Sequence, residues 1–280
     1  MYFDVIIIGA GAAGLMCALT AGQRGRRVLL IDHAEKVGKK ILISGGGRCN
    51  FTNLWVTPEN YLSQNPHFCK SALNRYTQYD FIDLVEKHHI PYHEKRLGQL
   101  FCDDSAKKIV DLLLKECRQA QVQIQTNCTV QQIRKKDRFI LQTQLGTYQS
   151  DSLVIATGGL SIPKMGATGF GYEIARQFGL QVIRCEPGLV PLTWHRDLRK
   201  QFGQLSGISA DAEVSCGNQS FREAVLFTHR GLSGPAILQI STYWQMGQAL
   251  SINLLPDLDL EALFHQAQQG TPKALLSLMK

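Results

Sequence analysis

The sequence predicts an α/β chain, with a parallel sheet and its helices first and a mainly β part after it. Three observations carry that expectation. "FDVIIIG" (3–9) and "RRVLLID" (26–32) are continuous apolar runs, the pattern of strands buried on both faces. Between them "AAGLMCALTAGQRG" supplies helix formers and closes on Gly25, so the three segments read β-α-β. From about Glu186 the texture changes to prolines and short alternating segments, in "EPGLVPL" and "SGISADAEVSCGNQSFREAVLF". A boundary is expected there, giving a first domain over 1–186 and a second over 187–280.

Composition narrows the class. The 280 residues are 44% hydrophobic and 19% charged, ordinary values for a soluble globular protein of one or two domains. No apolar run approaches the roughly 20 residues that span a bilayer. "MYFDVIIIGAGAAG" has no basic segment ahead of its apolar stretch, so a signal peptide is not expected and a cytoplasmic location is. Eight cysteines lack C-x-x-C or zinc-ligand spacing and read as reduced thiols. Redox chemistry would therefore need a bound cofactor. The net charge of +7 gathers in "RGRR" (24–27), "KK" (39–40), "RKKDR" (134–138) and "HRDLRK" (195–200). Such clusters suit solvated surface or a polyanionic partner, a phosphorylated cofactor or a nucleic acid.

The remaining elements come in order along the chain. "SAKKIVDLLLKEC" sets Ala106, Ile109, Val110, Leu113 and Cys117 on one helical face behind Ser105 as cap. "VQIQT" (122–126) reads as a short strand, and 128–148 as a small antiparallel layer turning at "LGT". "SDSLVIATGG" (150–159) is another apolar strand ending in glycines. "TPKALLSLMK" opens a helix with Thr271 as cap and Pro272 at its first position, leaving Leu275, Leu276 and Met279 unmatched. The second domain is thus expected to be incomplete at its C-terminal end.

Gly9-x-Gly11-x-x-Gly14 is a dinucleotide fingerprint in the context it requires, after one strand, opening a helix, and before a second strand ending at Asp32. Gly9 permits the tight turn, Gly11 lets the backbone approach a pyrophosphate, and Gly14 lets helix and strand pack closely. Asp32 can accept hydrogen bonds from a ribose. The fingerprint does not separate NAD from FAD, but the chain beyond Asp32 does. It runs through "HAEKVGKKILISGGGRCNFTN", delays its next strand to about residue 122, inserts the antiparallel layer and returns with "LVIATGG". That order belongs to a Rossmann-like FAD-binding domain of the glutathione-reductase type. The glycine-bare "ISGGGRCNFTN" (43–53) would then press its main chain against the flavin end, with Arg48 adding a positive charge that favours reduced flavin.

"DVIIIGAGAAGLMCA", "GKKILISGGGRCNFTN", "LVIATGGLSIPKMGATGFGYEIARQFG", "LVPL" and "LFTHRGLSGPAIL" together resemble the BaiN/RdsA-type family of bacterial NAD(P)/FAD-dependent oxidoreductases. "SGGGRCNxTN" is the specific part of the match. The resemblance implies a pyrophosphate loop of Gly9, Gly11, Ala13 and Gly14, with Asp32 where the family more often has glutamate. It implies that Lys40, Ser44, Gly45, Gly46, Gly47, Arg48, Cys49 and Asn50 line the cofactor, that Val130 offers its backbone to adenine, and that Thr157, Gly158 and Gly159 close over the dinucleotide. Phe170 stands where the family often has aspartate. Members of the family continue past the length of this chain.

The resemblance also implies a flavin reduced by NAD(P)H that saturates a carbon–carbon bond. One branch resembles a ribosomal-RNA dihydrouridine synthase, another a reductase of steroid intermediates. The basic composition tilts toward uridine in ribosomal RNA; a small enone or amine is the alternative, and a short, inactive flavin- or RNA-binding remnant a third. Cys49 is the expected proton donor, with Asn50 and Thr52 orienting acceptor carbonyls. His88, His89 and His93 are not expected to hold a metal, because Pro91 breaks the helix that would align the last two. Ser233 is expected to cap a helix, and Trp194 and Arg230 to pack, with base stacking and substrate contact as their minority roles.

Overall fold

A computed structural model describes residues 1–259 together with 262, 264 and 265. The helix expected at Thr271 lies outside the described residues. The chain divides into two compact units, Met1–Val182 and Ile183–Lys280.

The first unit opens with β1 (Tyr2–Ile8), α1 (Ala12–Gln23) and β2 (Val28–Ile31), and the two strands pair in parallel with Ile7 opposite Leu30. Next come α2 (Lys39–Ile43), β3 (Asn50–Asn53), α3 (Lys70–Arg75), α4 (Gln78–Lys87), β4 (Tyr92–Glu94) and β5 (Gln99–Cys102). The unit continues through α5 (Lys107–Gln119), β6 (Gln123–Gln125), β7 (Val130–Lys135), β8 (Phe139–Thr143), β9 (Gly146–Ile155) and α6 (Phe170–Gln177). The main sheet runs β6-β2-β1-β9-β8-β7. Its continuous apolar strands serve two cores. Val5, Ile7, Val28 and Leu30 face α1 and α5, where Leu15, Leu19, Ile109 and Leu113 fill the layer. Phe3, Ile6, Ile8, Leu29 and Ile31 face the opposite cluster with Ile133, Leu141 and Ile174. Each such fully buried aliphatic chain contributes about 1.5–3 kcal/mol, which is why both faces of β1 and β2 are apolar. The helix α5 buries the expected stripe, and Ser105 accepts a hydrogen bond from the Lys107 amide at 3.2 Å.

Two features differ from the expectation. The antiparallel stretch near 128–148 joins the main sheet instead of forming a layer of its own. One ten-residue strand, β9, pairs antiparallel with β8 and parallel with β1. Its polar middle, Gln149 to Ser152, made it read as two pieces. Strands also precede residue 122, since β3, β5 and β4 form a separate three-stranded sheet. At three or four residues each they are too short to show alternation.

The second unit holds β10 (Leu192–Thr193), α7 (Arg196–Phe202), β11 (Ser209–Cys216), β12 (Gln219–Phe227), β13 (Gly231–Ser233), α8 (Pro235–Ile240) and β14 (Ser251–Asn253). Its antiparallel sheet runs β10-β13-β12-β11-β14, and Ala236, Ile237 and Ile240 of α8 pack on Ala212, Val214 and Val225. Ser233 does not cap α8. It ends β13, and Gly234 takes the cap position at φ +92 with no side-chain bond. A Cβ on Gly234 would stand 2.4 Å from the Ala224 carbonyl oxygen, so close backbone packing selects the residue. Among the described residues, no helix is long and apolar enough to cross a membrane.

Candidate functional site

At the end of β1 the chain turns at Gly9, whose φ is +106 and whose added Cβ would lie 2.4 Å from the Ala156 carbonyl oxygen. A Cβ on Gly14 would meet the Gly9 carbonyl oxygen at 1.8 Å. Gly11 differs from both, because a Cβ there would find nothing within 4 Å. Gly11 also occupies the N-cap of α1 without any side-chain cap, and Ala13 beside it is exposed. The first turn of α1 therefore offers its amides and the positive end of the helix dipole to an anion. Protein packing requires Gly9 and Gly14, whereas Gly11 leaves room beside the backbone.

Asp32, at the tip of β2, holds this loop in place. One carboxylate oxygen accepts from the Ala10 amide and the other from the Ala34 amide, each at 2.7 Å. An ionised carboxylate has about four acceptor positions, so capacity remains for ribose hydroxyls. Beside it lies a cavity of about 260 Å³ lined by Gly9, Asp32, His33, Val130, Thr157 and Phe170. Gly9, Asp32, Val130 and Thr157 were all expected here. His33 and Phe170 were not expected as contacts, although the aromatic at 170 had marked itself by replacing a family aspartate. It makes that part of the wall apolar.

The second glycine run sits on the same scaffold. The Gly38 amide donates to the Ala10 carbonyl at 2.8 Å, linking the start of α2 to the first loop. From α2, Lys40 Nζ reaches Ser161 Oγ at 3.1 Å, and a Cβ on Gly158 would come 3.8 Å from that ammonium. A Cβ on Gly159 would lie 3.3 Å from the Tyr172 hydroxyl. Ser44 donates to the Ile41 carbonyl, and Gly45, Gly46 and Gly47 come after it at φ +56, +67 and +88. The loop is pinned from behind. The Ala106 amide donates to the Gly47 carbonyl at 2.7 Å and the Cys102 amide to the Arg48 carbonyl at 3.0 Å. A Cβ on Gly45 would strike Phe101 and the Asn50 amide nitrogen, each at 2.7 Å, while Gly46 and Gly47 face open space.

Arg48 is exposed. Cys49 is buried at 5% exposure within the core of the first unit, with a left-handed φ of +52. Burial pushes its thiol up, partly offset by Ser44, so it carries its proton at neutral pH. Its neighbour Cys102 is pushed up to about 11, again mainly by burial. Asn50 is exposed at the start of β3, and its amide nitrogen, correctly oriented, donates to the Leu100 and Thr52 carbonyls. Thr52 lies on the same strand.

The other sequence candidates are placed elsewhere. His88 Nε2 lies 2.7 Å from Glu116, and His93 Nδ1 lies 2.6 Å from Asp103. In the 134–138 cluster, Arg138 pairs with Asp151 and covers the Tyr2 ring, and Lys135 covers Phe139. In the second unit Trp194 packs on Phe202, and Arg199 donates to the His229 carbonyl.

With this geometry in view, known proteins are informative. The family described as HI0933-like protein Rossmann domain matches residues 3–240. Over 98% of its length the chain is 57% identical to the ribosomal RNA dihydrouridine synthase of Escherichia coli (strain K12), spanning 69% of that protein. Over the same share it is 51% identical to the ribosomal RNA dihydrouridine synthase of Haemophilus influenzae (strain ATCC 51907 / DSM 11121 / KW20 / Rd), spanning 70% of it. It is also 27% identical over 90% of its length to the 3-dehydro-bile acid delta(4,6)-reductase of Clostridium scindens (strain ATCC 35704 / DSM 5676 / VPI 13733 / 19), spanning 64% of it.

Proposed function

This chain belongs to the HI0933-like Rossmann family, and on that premise we propose that it is an FAD-dependent oxidoreductase that saturates a carbon–carbon double bond of uridine in ribosomal RNA at the expense of NAD(P)H. The observation that carries the cofactor is the uncovered backbone at Gly11, beside Asp32 and the cavity of Val130 and Phe170. The 57% and 51% identities to the two synthases support the acceptor.

Bound FAD would supply the two-electron chemistry. The chain's own groups hold and orient. Gly9, Gly11, Ala13 and Gly14 with the first turn of α1 would take the pyrophosphate, and Asp32 a ribose. Val130, Thr157 and Phe170 would enclose the adenine. Lys40, Gly158 and Gly159 would flank the dinucleotide. Gly46, Gly47 and Arg48 would meet the flavin end, where a fixed guanidinium favours negative charge. The uridine must leave its stack to lie against the reacting ring. Cys49 has the protonation state that a proton donor needs, but it lies on the core side of the loop, and Asn50 is the exposed polar group beside it. Cys49→Ala should abolish dihydrouridine formation with flavin retained, and a variant that still turns over would leave Cys49 as a packing residue.

The test of the whole reading has two steps. The purified protein should show flavin absorbance, or gain it with added FAD. With NAD(P)H it should then convert uridine to dihydrouridine in unmodified ribosomal RNA, read by mass. A protein that FAD does not reconstitute overturns the cofactor. A flavoprotein that leaves RNA intact but reduces a small enone supports instead a substrate like that of the bile acid reductase relative.

A further inference from the structure

Residues 54–79, leading out of β3, carry most of the exposed aromatic surface. Trp55, Tyr61, Phe68, Tyr76 and Tyr79 are all exposed, Trp55 at 68% and Phe68 at 82%. Elsewhere among the described residues only Phe178 and Phe264 are exposed aromatics. The backbone is tied down at both ends of this stretch. Asn53 accepts from the Trp55 amide and donates to the Leu97 carbonyl, each at 2.8 Å, and Gln78 donates to the Leu54 carbonyl at 3.0 Å. A Cβ on Gly98 would lie 2.4 Å from the Trp55 ring, so this glycine is what lets the indole rest on the 95–98 turn. Exposed rings gathered on a stretch anchored at both ends, with no core of their own, mark a surface that something covers.

Charge and position narrow the occupant. Within 54–79 the single acid, Glu59, is set against His67, Lys70 and Arg75, and Lys95 and Arg96 stand on the adjoining turn. Between the rings stand Thr57, Asn60, Ser63, Gln64 and Asn65, with Leu62 the one exposed large aliphatic side chain. Aromatic faces interleaved with cations and amides are the chemistry of a single-strand nucleic-acid platform. The surface also begins close along the chain to the candidate flavin loop. Six residues separate Arg48 from Trp55, so the two lie at most about 25 Å apart, and a single strand crosses that within the roughly 4–16 nucleotides of a typical binding groove.

We propose that residues 54–79 are the surface on which single-stranded RNA flanking the reacting uridine stacks, with Trp55 and Phe68 as base platforms and Lys70 and Arg75 meeting phosphates. This rests on RNA being the acceptor. The chemistry recognised is the π-face of any base, so this surface sets affinity and register, while the chosen uridine is read at the flavin.

The experiment uses Trp55→Ala, Phe68→Ala and the double variant, with fluorescent single-stranded oligouridylate and unmodified ribosomal RNA as probes. Phe68 touches so little that Phe68→Ala should melt like the parent, which protects the test if Trp55→Ala is unstable. Each substitution should weaken oligouridylate binding on the order of 10-fold. Each should raise KM for ribosomal RNA while leaving kcat, flavin content and flavin reduction by NAD(P)H unchanged. Ultraviolet crosslinks should map to 54–79. If the parent binds RNA and reduces uridine but the variants match it, and crosslinks fall at 134–138 or 195–200, this surface assignment is overturned and the acceptor stands. If the parent neither binds RNA nor reduces uridine, the acceptor reading itself falls, and this surface assignment with it.

Discussion

The two glycine clusters of the first unit look alike in the sequence and are built for different reasons. At residues 9–14, two of the three glycines are demanded by the protein's own backbone, and only Gly11 stands beside empty space. At residues 45–47 the proportion is reversed. Gly45 is fixed by the Phe101 ring, while Gly46 and Gly47 have positive φ and no neighbour where a Cβ would stand. Within these two loops, a glycine whose missing side chain leaves a gap is one that a ligand can approach, and one whose gap is already filled is one that folding requires. In the proposed site Gly11, Gly46 and Gly47 are thus the glycines left open, and Gly9, Gly14 and Gly45 those the fold itself requires.

Three substitutions and one control put that distinction at risk, in descending order of effect. Gly14→Ala drives a methyl group into the Gly9 carbonyl and should cost about 3 kcal/mol or more, seen as loss of soluble protein or a sharply lowered melting temperature. Glu116→Gln is the control outside both clusters. The buried Glu116 carboxylate takes Lys87 at 2.9 Å, His88 at 2.7 Å and Gln23 at 3.3 Å, joining α4 and α5 to the far end of α1. Burial pushes its carboxyl up, but the bonds from Lys87 and His88 more than offset that and hold it below the usual carboxylate range. Its contribution is therefore present above the unfolded pKa and lost as pH falls through the lowered folded value. Glu116→Gln should cost about 2 kcal/mol at neutral pH and flatten the acid limb of a melting-temperature profile. Flavin affinity should stay at the parental value.

Gly11→Ala reverses that pattern. Melting of the flavin-free protein should be unchanged, while FAD binding weakens about 10-fold or more, roughly 1.4 kcal/mol, by fluorescence titration. Gly46→Ala should show the smallest change, about 1 kcal/mol of stability for a left-handed alanine with a shifted flavin spectrum. If Gly11→Ala melts early with unaltered flavin affinity, the distinction between filled and open glycines fails.

Much of this was legible in the sequence because β1, α1 and β2 announce themselves through apolar runs and a helix-forming stretch between them. Asp32 was legible for a related reason, since it follows directly on the second apolar run, whereas Val130 and Thr157 came from the resemblance to the family. What escaped depends on contacts distant along the chain. The partner that makes Gly45 necessary is Phe101, on a strand of only four residues. His33 and Phe170 line the cavity from a turn and a helix start that no periodicity brings together. The inward side of Cys49 goes with its left-handed φ of +52, a value that a residue's identity does not reveal. Ser233 looked like a cap because it preceded Gly-Pro, but tight packing on Ala224 moved the helix start to Gly234.

The strand β9 has a consequence for how this protein tolerates change. Because one ribbon is clasped on both sides, by β1 and by β8, the glycine turn and the hairpin share a single ruler. An extra residue at the 144–145 bend merely lengthens a tip. The same insertion between 147 and 154 would turn inward-facing side chains outward and carry Thr157 out of step with Gly9. Natural variation in length should accumulate at the bend and vanish from the ribbon.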